Sequence, residues 1–157
     1  MPNGKVGSSL VPSLTIGGRV FTDISNLIVL CGGPATAARF STLRMPNGSA
    51  GYQITAGKTF RIEAIVIFSG TAASIATYNL LYGDTDVGLD GAAAPTTPVY
   101  CGGGATVYTA MVGRGTGGAS EQFPQVFHPH FDIPATKYAC ITADKAASAV
   151  FVYGYER

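Results

Sequence analysis

Few side chains of this sequence are of a type and spacing that can do chemistry. His128-Pro129-His130, with Asp132 just beyond, contains both histidines of the chain. An H-x-H spacing on a strand projects both rings to one side, where imidazoles can ligate a transition metal. The plainer alternative is an edge strand whose polar side chains face solvent. Asp84, Asp86 and Asp90 lie close together in Asp84-Thr85-Asp86-Val87-Gly88-Leu89-Asp90-Gly91. Hard cations such as calcium want several oxygens converging from one loop. The EF-hand pattern fails, because its sixth position falls on Leu89 and its twelfth on Pro95. A solvated turn, with carboxylates accepting bonds from loop N–H groups, is the competing reading. Gly113, Gly115 and Gly118 formally spell G-x-G-x-x-G. A dinucleotide site needs a helix after those glycines and a parallel strand beyond it. Pro124 interrupts soon after, and no βαβ period exists, so the stretch reads as a surface loop.

Hydrolytic chemistry has little to draw on. A Ser-His-Asp arrangement must use His128 or His130, and no G-x-S-x-G occurs. Carboxylates for glycoside cleavage would have to come from Glu63, Glu121, Glu156 or the aspartates. Glu63 stands mid-strand with Arg61 on its own face, the spacing of a salt-linked surface pair. The expectation is a chain that is not an enzyme and uses no cofactor, metal or small-molecule substrate. Tyr52, Tyr78, Tyr82, Tyr100, Tyr108, Tyr138, Tyr153 and Tyr155 supply aromatic faces that can bind sugars or bases. They are scattered at strand spacing, which favours half-buried sheet positions. Cys31, Cys101 and Cys140 are odd in number, widely spaced and beside apolar runs. They read as small buried free thiols rather than a disulfide framework.

The elements that position these residues are short strands. The longest alternating run is 58–69. A period of two puts Phe60, Ile62, Ala64, Val66 and Phe68 on one face, with Arg61 and Glu63 toward solvent on the other. Its second half is apolar on both faces, so it should run into the middle of a sandwich or under a partner. Further strands are expected over 22–31, 38–44, 51–55, 74–83, 99–101, 105–112, 136–143 and 149–155. Residues 123–131 contain Pro124 and Pro129 and read as an edge or irregular strand. In the closing strand Phe151, Tyr153 and Tyr155 share one face. Helix signals are poor, and Gly and Pro separate the strands. The pattern predicts an all-β, single-domain β-sandwich, jelly-roll-like, over 13–157. Residues 1–12, with isolated Val6, Leu10 and Val11, read as an extended N-terminal arm.

Composition narrows the function classes. The chain has 157 residues, 10 Lys+Arg against 9 Asp+Glu and a formal net charge of +1. Such a balance lacks the basic footprint of a nucleic-acid binder. A hydrophobic share of 46% is too high for disorder. The charged share is 12%, about half the usual value, and is low for a domain that stays alone in water. No apolar run approaches the ~18 residues of a membrane span, and no signal-peptide core is visible. A cytoplasmic site of synthesis is expected.

The stretch Gly51-Tyr52-Gln53-Ile54-Thr55-Ala56-Gly57-Lys58-Thr59-Phe60-Arg61-Ile62 resembles the core of small all-β virion proteins of tailed bacteriophages. Leu81-Tyr82-Gly83-Asp84-Thr85-Asp86-Val87-Gly88 and the closing Tyr153-Gly154-Tyr155 are similar in the same way. The resemblance covers about a third of the chain and brings no catalytic residues with it. It implies a capsid decoration (cement) protein, sitting on the virion as a homotrimer and bound to the major capsid protein. The arm, with Val6, Leu10 and Val11, would bridge to the capsid by adding a strand to a neighbouring sheet edge. Two other expectations stay open: a tail-fibre or receptor-binding module, motivated by His128 and His130, and a carbohydrate-binding β-sandwich, motivated by the tyrosines and Asp84–Asp90.

Overall fold

The computed structural model describes residues 12–33, 35–36, 39–68, 75–91, 98–99, 108–114, 125–143 and 149–157. The described residues form strands and turns, with no helix among them. In chain order the strands are β1 (Leu14–Ile16), β2 (Arg19–Phe21), β3 (Ile28–Gly32), β4 (Phe40–Thr42), β5 (Phe60–Phe68) and β6 (Ile75–Gly83). They continue with β7 (Pro98–Val99), β8 (Tyr108–Arg114), β9 (Gln125–Phe127), β10 (Phe131–Ile133), β11 (Tyr138–Ala143) and β12 (Ala149–Glu156). Val6, Leu10, Val11, Cys101, Gly115, Gly118 and Glu121 lie outside the described residues.

The described residues form two larger sheets and one hairpin, and every pairing among them is antiparallel. In the first sheet β12 lies between β3 and β5. Along its other edge β5 meets β10 at Phe60–Ile62 and β9 at Ile65–Ile67. β9 and β10 therefore share one strand position, broken by His128-Pro129-His130. In the second sheet β4, β11 and β6 lie side by side, and β7 and β8 share the far edge of β6. One core joins the two sheets. It contains Leu30, Phe60, Ile62, Ile65, Ile67, Val150 and Val152 from the first, and Leu80, Tyr82, Ala139 and Ile141 from the second. Burying such branched side chains is worth about 1.5–3 kcal/mol each. The all-β, sandwich-like expectation agrees with this architecture.

The strict period of two along β5 does not. Tyr153 pairs with Ala64 and Gly154 with Ile62, which leaves Glu63 as an extra residue, a β-bulge. Beyond it the alternation inverts. Phe60, Ile62, Ile65 and Ile67 face the main core, whereas Ala64 and Val66 face away from it. A side-chain pattern carries no warning of one inserted residue, so extrapolating the period crosses the faces after Glu63. Gly154 stands opposite the bulge because nothing larger fits. A Cβ there would collide with the Arg61 carbonyl oxygen and stand 2.7 Å from Phe60 Cζ.

The outward residues of the first sheet are covered by the chain itself. Leu14 pairs with Phe21 and Ile16 with Arg19 around Gly17-Gly18. Both glycines have positive φ, 54° and 81°, as the tight turn of a two-residue hairpin requires. Ile16 and Phe21 point down onto Ala64 and Val66, with Leu27, Val126, Phe151, Tyr153 and Tyr155 around them. Phe151, Tyr153 and Tyr155 do share a face, and this hairpin lies over it. The two-sided apolar half of β5 runs between the core and the chain's own hairpin. Strand periodicity passes over β1 and β2, although two β-type tripeptides around Gly-Gly are a hairpin signal.

Candidate functional site

The bulge turns Glu63 outward, where it anchors the hairpin. Arg19 ion-pairs with its carboxylate and also donates from Nη1 to the Glu63 carbonyl at 3.3 Å. Arg61 Nε stands farther from the carboxylate, at 3.7 Å, so the expected Arg61–Glu63 pair is present but is the weaker one. Arg61 instead reaches toward Asp132, at 3.4 Å, which also accepts a 2.8 Å bond from Arg157. An exposed pair of this kind is worth about 0.2–1 kcal/mol. Glu63 is only 15% exposed, so its pair with the hairpin belongs nearer the upper end.

The two histidines join this seam separately. Residues 128–130 form no strand, because Pro129 has no N–H to give a ladder. His128 Nε2 is 3.3 Å from the Gly17 carbonyl oxygen in the hairpin turn. His130 Nδ1 is 3.4 Å from Glu63 Oε2. The irregular edge expected over 123–131 is present as β9 and β10, and between them His128 meets the hairpin turn whereas His130 meets Glu63 of β5. Gly17 is needed for this approach, since a Cβ there would lie 2.9 Å from Val126 Cβ and 3.2 Å from His128 Nε2.

The aspartates of 84–91 diverge as well. Asp84 ion-pairs with Lys137. Asp90 accepts from the Thr36 amide at 3.1 Å and its hydroxyl at 2.8 Å. Asp86 accepts from the Gly51 amide at 2.8 Å and the Gly88 amide at 2.9 Å. The Thr42 hydroxyl in turn accepts from the Val87 amide at 2.9 Å. The loop is thereby stitched across β4 to the turn at 51. Among the described residues no group of three His, Cys, Asp or Glu is placed to hold one metal ion.

Burial pushes the Asp86 carboxyl up, but the Gly88 and Gly51 amides, the Thr42 hydroxyl and the Arg44 charge together hold it below its usual value. Glu156 behaves alike. It accepts from the Thr55 amide and the Tyr52 hydroxyl, each at 2.8 Å. These bonds and the Lys58 charge outweigh its burial. Burial, and then Glu156, push the Tyr52 phenol up to about 12. A depressed carboxyl adds stability above its unfolded pKa of about 4 and loses it as pH falls through the lower folded value. Asp86→Asn should therefore lower the melting temperature at pH 7, with the gap to wild type closing as pH falls below the unfolded value of about 4. An equal gap above and below that value would show that the Asp86 charge contributes nothing.

Cys140 is buried, with Thr42 Oγ1 3.6 Å from its sulfur. Burial drives this thiol up to about 11, which leaves it protonated and inert at neutral pH. Cys31 is a free thiol of intermediate exposure on β3. Its backbone exchanges two hydrogen bonds with Arg44, at 2.7 and 2.9 Å, and so ties the edges of the two sheets.

Two shallow grooves flank the hairpin and share Asp23 and Tyr155. The first, about 280 Å³, lies between β2, Glu63 and Tyr155. The second, about 640 Å³, lies between Asp23–Ile28, Met45, Lys58 and the end of β12. The Asp23 carboxylate accepts from Ser25 Oγ and Asn26 Nδ2, each at 3.1 Å, which fixes the loop between the grooves. The sequence gives no sign of this surface, because it is assembled from β2, the loop after it and the chain's end. Compared with family models, curated proteins and solved structures, the chain has no match.

Proposed function

We propose that the chain is a structural virion protein, a bacteriophage capsid decoration protein with jelly-roll connectivity. On this reading it is made in the host cytoplasm and binds the major capsid protein on the outer shell as a homotrimer. The observation that carries the reading is the strand order. With β7/β8 and β9/β10 each counted as one position, β3 to β12 visit eight positions. Lettered B to I along the chain, the sheets run B-I-D-G and C-H-E-F. That order supports the double wrap of a jelly roll, an architecture used by viral capsid and lectin domains. A further support is the use made of the reactive side chains. Glu63, Asp84, Asp86, Asp90, His128 and Glu156 each tie one segment to another. The low charge fits a domain whose surface is partly covered by other protein.

Electron microscopy and mass spectrometry of the parent particle test the assignment. The protein should occupy defined sites on the capsid surface, and its absence there would overturn the reading. Deleting residues 1–12, which include Val6, Leu10 and Val11, should leave the β domain folded and weaken attachment at least tenfold. Undiminished attachment would remove the arm as the anchor.

A further inference from the structure

The hairpin of β1 and β2 is joined to the molecule differently from the other strands. β3 to β12 are each laddered into one of the two larger sheets, whereas β1 and β2 pair only with each other. Among the described residues no backbone hydrogen bond ties 14–23 to either sheet. Side chains hold the hairpin down instead. Ile16 and Phe21 rest on Ala64 and Val66, Arg19 reaches Glu63, and His128 stands against the Gly17 carbonyl. The chain that follows, 22–26, is exposed, and the bonds of the Asp23 carboxylate to Ser25 and Asn26 are local. A segment whose backbone bonds are all internal can leave as one piece without breaking a sheet ladder, as a sub-global opening unit does.

We infer that the hairpin is a strap that opens as a unit about 22–26 while both sheets stay folded. Arg19 is its clasp. The guanidinium ion-pairs with the Glu63 carboxylate, donates from Nη1 to the Glu63 carbonyl at 3.3 Å and lies 5.2 Å from the centre of the Phe21 ring. One side chain thus joins the apolar foot of the strap to the bulge of β5. Opening does not strand the Glu63 charge, because Arg61 Nε at 3.7 Å and His130 Nδ1 at 3.4 Å belong to the body and stay beside it. A largely buried carboxylate left without a cation would hold the strap shut far more firmly. Opening bares Ala64, which is fully buried, and Val66, with Phe151 and Tyr153 around them, on the face of the first sheet away from the main core. This motion belongs to the chain alone and stands apart from the virion reading.

The test is thiol labelling of the full chain carrying Ala64→Cys, beneath the strap, or Ala139→Cys, fully buried in the main core. Peptide mass spectrometry separates each new thiol from Cys31, Cys101 and Cys140. The expected result is Ala64→Cys labelling at least about a hundredfold faster than Ala139→Cys, and insensitive to urea below the unfolding transition. Adding Arg19→Gln should speed Ala64→Cys labelling about tenfold and leave Ala139→Cys unchanged. Equal rates at the two positions would overturn the strap, since the hairpin would then leave only on global unfolding. An Arg19→Gln effect on both positions alike, or on neither, would overturn Arg19 as the clasp. Amide exchange of wild type reads the same motion where a cysteine variant does not fold. Amides of 14–21 should exchange together, at least about a hundredfold faster than the paired amides of β5 and β12, and still more slowly than in a free chain. Amides of 14–21 as protected as those of β5, or not protected at all, would overturn the inference.

Discussion

Replacing Gly154 by alanine should cost about 3 kcal/mol of folding stability, the upper end of the usual range for overpacking. The added methyl would press on the Arg61 carbonyl oxygen and stand 2.7 Å from Phe60 Cζ. The Phe60 ring can turn only by disturbing the core, and the Arg61 oxygen belongs to β5, the strand that β12 pairs with. Neither neighbour is a free side-chain end. Relief must come from the backbone at the Glu63 bulge, where the register already shifts. Gly57→Ala makes the control. Gly57 has φ of 79° and open space where a Cβ would stand, so its substitution carries only the left-handed backbone cost of about 1–2 kcal/mol. Urea unfolding of both variants, with an unchanged m-value, gives the comparison. A Gly154→Ala protein no less stable than Gly57→Ala would mean that the two strands do not approach as described.

Phe60→Ala should cost more, about 3–5 kcal/mol. The ring is fully buried at the start of β5. It lies 6.4 Å from the Tyr52 ring, tilted by 59°, a favourable aromatic arrangement. Phe60 pairs with Ile133 on one side and Glu156 on the other, so a cavity here opens beneath the central strands. Because Phe60 Cζ is one of the atoms in the way at position 154, the two substitutions are coupled. The double variant should lose less than the sum of the single losses, by about 0.5–1 kcal/mol or more. Strict additivity would separate the two sites and contradict the packing.

How much of this is readable from the residues follows from what each pattern can carry. β5, β6, β11 and β12 are long enough for alternation to show, and they appear within a residue or two of where it places them. The expected strand over 51–55 reduces to a single bridge between Gln53 and Tyr138, since Gly51 and the Ala56-Gly57 turn leave too few residues to extend it. The expected strand over 22–31 begins only at Ile28, because the Asp23 carboxylate holds Ser25 and Asn26 in a turn. That bond depends on local side-chain geometry to which hydrophobic periodicity is blind. The partners of Asp84, Asp86 and Asp90 are not readable at all. Lys137, Gly51 and Thr36 are remote in sequence and come near only when the sheets assemble. A dense run of carboxylates looks like a ligand loop until its contacts are known. The histidine pair is legible as unusual, but its use depends on a hairpin whose strands are too short for alternation to reveal.

The shared position of β9 and β10 bears on how the molecule behaves when crowded. An open sheet edge is a template on which a foreign strand can grow. Here the edge beside β5 consists of two fragments of three residues each, separated by the His128-Pro129-His130 detour and followed by Pro134. Self-propagating cross-β stacks need uninterrupted segments of about six residues. Neither fragment offers that length, and Pro129 and Pro134 have no N–H to present. The interrupted edge is therefore a built-in stop against fibril growth, set into a side of the sheet that no further strand covers among the described residues.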